Sequence, residues 1–226
     1  MTHTDKIAII DAAQTFLFVP GDRPERFDKA IASGADVVVI DLEDAVAPDA
    51  KNVARTAVAR WISPVKPVML RVNACDTSWF EDDLALARER GILGILLPKA
   101  EPNAATARVA ETSPTVALIE SARGVAGMLE LGSDHPGMCR FALGDIDLSL
   151  DLGITASPAI FDPIRLQMVV VSRLRGLAPP IDGVSLNIDG GGEARCPPGE
   201  IHRLLRKACN TPTAGECDRR GVSAER

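Results

Sequence analysis

Apolar residues in this chain come in short, largely β-branched runs. Each run is followed by a stretch that mixes apolar and charged residues at helical spacing. Strands are predicted at Phe16–Val19, Val37–Leu42, Val68–Val72, Ile95–Leu97, Val116–Ile119, Phe141–Leu143 and Gly183–Ile188. Helices are predicted between them at Pro24–Ala32, Ala50–Trp61, Trp79–Arg90, Ala104–Glu111, Val125–Leu131 and Pro158–Arg175. Pro24 and Pro158 suit a first helical turn, where no backbone donor is needed. Runs that are apolar on both faces, alternating with helices, imply a parallel sheet covered by helices. Units recurring about every 25 residues read as a TIM (β/α)8-type barrel rather than a doubly wound sheet. Such a barrel takes roughly 250 residues. With 226, the chain is expected to be incomplete at the eighth βα unit.

No linker interrupts this pattern before residue 189, so residues 1–189 are expected to form the barrel domain. The segment 190–226 is different in kind. Gly190, Gly191 and Gly192 and then Cys196-Pro197-Pro198-Gly199 punctuate it, Glu200–Ala208 reads as one helix, and the rest reads as loop or disorder.

Composition narrows the function classes. With 46% hydrophobic and 25% charged residues, the chain is not disordered as a whole. A net charge of −6 argues against a nucleic-acid surface, and 4% aromatics with no Tyr argue against a base-stacking platform. No apolar run approaches the roughly 18 residues of a membrane helix, and the first residues carry no signal-peptide pattern, so a cytoplasmic protein is expected. The five cysteines, Cys75, Cys139, Cys196, Cys209 and Cys217, form no CxxC pair and read as reduced thiols.

Candidate chemistry lies at the strand ends, the face of a parallel barrel where active sites gather. The endings are Pro20-Gly21-Asp22-Arg23, Asp41-Leu42-Glu43-Asp44, Arg71-Val72-Asn73, Pro98-Lys99-Ala100-Glu101, Glu120-Ser121-Ala122-Arg123 and Gly144-Asp145-Ile146-Asp147. Many carboxylates facing one mouth repel one another unless a cation joins them. One or two carboxylates completed by water and substrate describe Mg²⁺. Glu120 and Asp147, each read as terminating a buried strand, are the expected metal ligands, with Asp145 as competitor. Asp41, Glu43 and Asp44 are expected to hold metal-bound waters or orient neighbours. Arg71 ends an apolar strand, and its guanidinium suits a substrate carboxylate bidentately. The alternative for Arg71 is a permanent salt bridge to Glu43 or Glu120. Lys99 reads as a paired structural lysine rather than a Schiff-base lysine.

Seven stretches resemble the citrate lyase β-subunit family within the HpcH/HpaI aldolase group. They are Leu17–Phe27 (LFVPGDRPERF), Gly34–Pro48 (GADVVVIDLEDAVAP), Leu70–Asn73 (LRVN), Gly94–Glu101 (GILLPKAE), Leu118–Gly124 (LIESARG), Leu143–Gly153 (LGDIDLSLDLG) and Pro180–Asp189 (PIDGVSLNID). The resemblance implies a TIM barrel that binds Mg²⁺ and a carbon–carbon lyase acting on a citryl-, malyl- or citramalyl-type thioester of CoA or an acyl carrier. It implies that Arg71 and Glu120 contact substrate, that Glu120 and Asp147 hold the metal, and that Arg23 faces the carrier's phosphates. Glu43 or Asp44 is the expected base. A homo-oligomer is the expected assembly, with no nucleic-acid or membrane partner. After Asp189 the family pattern is not preserved. The alternatives are therefore a degenerate barrel that binds metal or ligand without efficient catalysis, or a thioesterase or aldolase of the same superfamily.

Overall fold

The computed structural model describes residues 1–132, 135–155, 157–185 and 206–209. Eight parallel strands form a closed barrel in chain order: β1 (Thr15–Pro20), β2 (Val37–Asp41), β3 (Val68–Arg71), β4 (Ile92–Leu97), β5 (Thr115–Ile119), β6 (Met138–Leu143), β7 (Ile181–Ser185) and β8 (Arg206–Cys209). The helices are α1 (His3–Ala12), α2 (Phe27–Ala32), α3 (Lys51–Trp61), α4 (Phe80–Ala87), α5 (Ala104–Thr112), α6 (Ala122–Ala126), α7 (Met128–Leu131), α8 (Asp145–Leu152) and α9 (Asp162–Arg175). None of the described helices is long and apolar enough to cross a membrane. The TIM-type reading of the alternation is therefore what the chain adopts.

The eighth unit is represented by its strand. β8 pairs in register with β7 (Ile181↔Arg206, Ser185↔Cys209) and with β1 (Thr15↔Lys207, Leu17↔Cys209), which closes the sheet. The helix expected over Glu200–Ala208 is thus replaced by strand in its last three residues. Residues 200–205 of that helix, residues 186–188 of the seventh predicted strand and the loop beyond Asn210 lie outside the described residues.

Strands β2, β4, β5 and β6 are buried on both faces because two cores share them. Phe16, Val37, Val39, Met69, Leu96, Val116, Leu118 and Ala142 fill the lumen. Leu17, Val19, Val38, Ile40, Leu70, Leu97, Ala117 and Ile119 pack under the helices. This alternation, read along each strand, decides which strand-end side chains face the barrel mouth.

Two helices are not legible in the apolar pattern. α1 has almost no amphipathic bias, yet the Thr2 side chain accepts from the Asp5 N–H and the Asp5 side chain accepts from the Thr2 N–H, a complete capping box. α8 begins within the polar strand ending Gly144–Asp147 and closes on the left-handed Gly153. The predicted Val125–Leu131 helix is instead two short helices, α6 and α7, that meet at Gly127.

α1 closes the end of the barrel away from the mouth. The fully buried Arg140 of β6 donates from Nη1 to the Ile10 and Ala13 carbonyls (3.0 and 2.9 Å) and from Nε to the Pro179 carbonyl (2.7 Å). Replacing it with Met strands these carbonyls without their donor. Arg140→Met is expected to cost about 2–4 kcal/mol of stability while leaving metal affinity at the mouth unchanged. Thermal unfolding beside a Mn²⁺ titration checks both halves.

Candidate active site

The mouth is built by the strands' period of two. Along β2, Val37 and Val39 face the lumen, so Asp41 does too. Met69 places Arg71 there in β3, and Val116 and Leu118 place Glu120 there just beyond β5. Asp41 and Arg71 are register partners across β2 and β3. Side chains at paired positions point the same way, and here they meet. Arg71 Nε donates to Asp41 Oδ1 (2.8 Å) and Nη2 to Asp41 Oδ2 (2.5 Å), a bidentate pair. Asp41 is held in turn, accepting from the Glu43 N–H (2.8 Å) and the Ala45 N–H (3.3 Å). The Arg71 guanidinium also stacks over the Phe18 ring, 5.7 Å from its centroid.

This leaves Nη1. It lies 3.0 Å from Glu43 Oε2 and 3.3 Å from Asp44 Oδ2. The Asp44 side chain is 61% exposed, so that contact is weakly held. Of the bridges that are the alternative reading of Arg71, the one to Glu43 is present and Glu120 is not paired with it. The main partner is Asp41, which the strand-end pattern marks as holding metal-bound waters or orienting neighbours. The signal that points to it is the equal distance of Asp41 and Arg71 from the ends of adjacent strands.

Glu120 is 3% exposed. Its Oε1 accepts from the Lys99 N–H at 2.7 Å. On the other side it meets the backbone of Gly144, where an added Cβ would lie 2.6 Å from Glu120 Oε2 and 2.7 Å from Glu120 Cβ. Gly144 is thus a seat for the carboxylate. Burial pushes the Glu120 carboxyl up to about 8, with the negative charges of Glu43 and Asp147 adding to the effect and the Lys99 N–H opposing it. Burial likewise pushes Glu43 up to about 7 against the pull of Arg71, with Asp44 and Asp41 raising it further.

Asp147 does not terminate a strand. It sits in the first turn of α8, three residues past the Gly144 cap, and does not cap the helix. A helix, not a strand end, brings it to Glu120. Asp145, the competitor, faces elsewhere: it lies against Gly183 and near the charges of Arg165 and Asp182, and burial raises its carboxyl. Arg23 stands apart from this cluster with a 57% exposed side chain, its nearest carboxylate being Asp22 at 3.8 Å. Lys99 is exposed and is not paired with Glu101, which accepts instead from the Ser121 hydroxyl (2.8 Å).

A cavity of about 340 Å³ opens beside the cluster, lined by Glu43, Asp44, Lys51, Thr77, Trp79 and Lys99 among others. Lys51 is a structural part of it. Its buried ammonium donates to the Leu42 and Glu43 carbonyls (2.8 and 2.7 Å) and holds the β2 ending in place.

Among the described residues no three His, Cys, Asp or Glu side chains cluster as a metal cage. The donor set at the mouth is two hard carboxylates, Glu120 and Asp147, close enough for the charge of Asp147 to raise the proton affinity of Glu120. That arrangement fits a Mg²⁺ ion that keeps water or substrate in its remaining positions. Gly144→Ala is expected to push the Glu120 carboxylate off its seat and weaken Mn²⁺ or Mg²⁺ binding by about tenfold or more. Calorimetric titration of the metal measures this directly.

Comparison with known proteins gives the family and supports the barrel fold. Residues 14–195 match the family model described as HpcH/HpaI aldolase/citrate lyase. The chain is 39% identical over 150 residues to a citrate lyase subunit beta-like protein of Mycobacterium tuberculosis, covering 65% of this chain and 52% of that one. It is 32% identical over 184 residues to a (3S)-malyl-CoA thioesterase of Cereibacter sphaeroides, covering 78% and 62%. An L-malyl-CoA/beta-methylmalyl-CoA lyase of the same species is 35% identical over 158 residues, covering 61% and 50%. The chain therefore spans between half and 62% of the length of these relatives. Among solved structures, the M. tuberculosis citrate lyase beta subunit complexed with oxaloacetate and magnesium superposes with a TM-score of 0.75 at 28% identity, over 91% of this chain and 95% of that one. The M. tuberculosis protein CitE in complex with magnesium, acetoacetate and coenzyme A gives 0.74 at 29%, over 90% and 79%.

Proposed function

We propose, from the premise that this chain belongs to the HpcH/HpaI aldolase/citrate lyase family, that it is a Mg²⁺-dependent carbon–carbon lyase of hydroxyacyl thioesters. The substrate is of the citryl-, malyl- or citramalyl-CoA type, and the products are an acyl thioester and a 2-keto acid. One observation carries the reading: a half-buried arginine, one edge of which faces Glu43 and the loosely held Asp44, shares a barrel mouth with two mutually repelling carboxylates. The relatives solved with magnesium, a keto acid and coenzyme A support it.

Glu120 and Asp147 hold the ion in this account. When bound, Mg²⁺ supplies Lewis-acid polarisation of the hydroxy- or keto-acid oxygens and a template for their chelation. Arg71 keeps Nε and Nη2 on Asp41 and turns Nη1 to the substrate carboxylate, which displaces the exposed Asp44. Glu43 is the base, and Asp44 is the less suited candidate because it is exposed. A carboxyl near 7 divides its time between acid and base forms at neutral pH, which is what proton transfer in both directions requires. Glu43 takes the substrate hydroxyl proton. The carbon–carbon bond then breaks, its electron pair passes to the α-carbon of the thioester as an enolate, and the proton held by Glu43, passed back directly or through water, completes the acyl thioester and restores the base. Arg23, exposed just beyond the end of β1, is the residue proposed to face the phosphates of the thioester carrier.

Binding tests this before turnover is measured. Oxaloacetate, pyruvate and glyoxylate are titrated calorimetrically with Mg²⁺ and then with EDTA. At least one keto acid is expected to bind about tenfold or more weakly once metal is removed. Equal binding in EDTA would sink the metal-chelated substrate. The second reading is thioester hydrolysis at the same site, favoured by the likeness to the thioesterase.

A further inference from the structure

We propose that Lys99 is a positioning residue for Glu120, and that it acts through its main chain rather than its ammonium. Lys99 follows β4 and is the one non-glycine residue with positive φ (47°) among the described residues. A long L side chain in the left-handed region is strained, and such strain persists only where the surroundings over-determine it. They do so here. The next residue, Ala100, donates its N–H to the Leu118 carbonyl of β5 at 3.1 Å. The Ala100 carbonyl lies against Gly124, where an added Cβ would come within 2.7 Å of it. Glu101 is fixed by the Ser121 hydroxyl at 2.8 Å.

The left-handed turn sends two successive N–H groups toward the end of β5. That of Ala100 meets a backbone carbonyl, and that of Lys99 meets Glu120 Oε1 at 2.7 Å. The turn thus ties one N–H to the end of β5 and aims the other at the chain's own carboxylate. One oxygen is fixed by the Lys99 N–H, and the other is left on the Gly144 side. The Lys99 side chain is exposed and lines the 340 Å³ cavity with Glu43 and Asp44, so a direct role for the ammonium is the competing explanation.

The inference rests on the reading of Glu120 as a metal ligand, and the experiment separates the two. Mn²⁺ affinity is measured by electron paramagnetic resonance on the full chain, with thermal unfolding in EDTA alongside. The variants are Lys99→Gly, Lys99→Asn, Lys99→Val and Glu120→Gln. Gly and Asn accept the left-handed conformation and β-branched Val does not. Expected is Mn²⁺ affinity within about twofold of wild type for Gly and Asn, and about tenfold or more weaker for Val. If Gly weakens binding as much as Val, the ammonium is what matters and the inference fails. If Val lowers the unfolding temperature but leaves Mn²⁺ affinity intact, the turn is merely structural and the inference fails as well. A Glu120→Gln variant that binds Mn²⁺ like wild type overturns the metal reading and this inference with it. Loss in Glu120→Gln with no loss in Val overturns this inference alone.

Discussion

Arg71→Ala is expected to abolish keto-acid recognition and destabilise the protein in one step. Its guanidinium is bidentate to Asp41, whose side chain is only 3% exposed, and it lies within 3.0 Å of Glu43, 8% exposed. Removing the cation leaves these carboxylates buried with no counter-charge. Breaking a buried pair in this way costs about 3–5 kcal/mol. If Nη1 also takes the substrate carboxylate, kcat/KM falls by about 10²- to 10³-fold or more, the usual effect of truncating one partner of a desolvated charge pair. The two losses are separable. In Arg71→Met with Asp41→Asn, the orphaned charge at Asp41 is gone, so part of the stability returns while activity does not. Unfolding midpoints and kcat/KM on the single and double variants form the cycle that tests this. Arg71→Lys keeps the charge but loses the fork, and is expected to fall between wild type and alanine in both readouts.

Glu120→Gln is expected to move stability and metal affinity in opposite directions. In the folded protein the Glu120 carboxyl is pushed from 4.5 to about 8, chiefly by burial. A group that binds its proton more tightly when folded contributes stability that is fully present below its unfolded pKa and is lost as pH rises through the folded one. The metal-free protein is therefore expected to lose stability between about pH 4.5 and 8, by an amount on the order of a few kcal/mol. Glu43, raised to about 7, loses its contribution within the same window. The introduced amide cannot ionise, so the variant's unfolding temperature in EDTA should exceed wild type at pH 8 and match it more closely at pH 5. Mg²⁺ reverses the ranking. It stabilises wild type in proportion to its binding and does so less at low pH, where protons compete for the carboxylates, whereas the amide variant gains little. Unfolding scans at pH 5, 6.5 and 8, each with Mg²⁺ and with EDTA, give the whole pattern. A variant less stable than wild type at pH 8 without metal would contradict the buried-charge account of this site.

Much of the architecture is written in the period of the apolar residues. Val37–Ile40 and Val116–Ile119 are apolar on both faces because lumen and helix layer each claim one, and both segments lie on strands. The positions of Arg71 and Glu120 at the mouth follow from the same period. Three things are not legible there. Asp147 lies in α8, a helix whose start is hidden among the charges of a strand ending, so the pattern alone reads it as a strand end. The pairing of Arg71 with Asp41 depends on the register between two strands, which one strand's pattern does not contain. Gly144 and the Lys99 N–H act through backbone, and side-chain chemistry gives no sign of them.

Turnover separates lysis from hydrolysis and from binding alone. Purified protein is given malyl-, citramalyl- and citryl-CoA in Mg²⁺ and in EDTA, while keto acid and free CoA are followed separately. Release of glyoxylate, pyruvate or oxaloacetate is expected from at least one substrate, dependent on Mg²⁺, with acetyl-CoA and not free CoA as the partner product. Free CoA with no keto acid would make the site a thioesterase. Neither product from any substrate, in folded protein that binds Mg²⁺, would contradict the lyase and leave a barrel that binds without turning over.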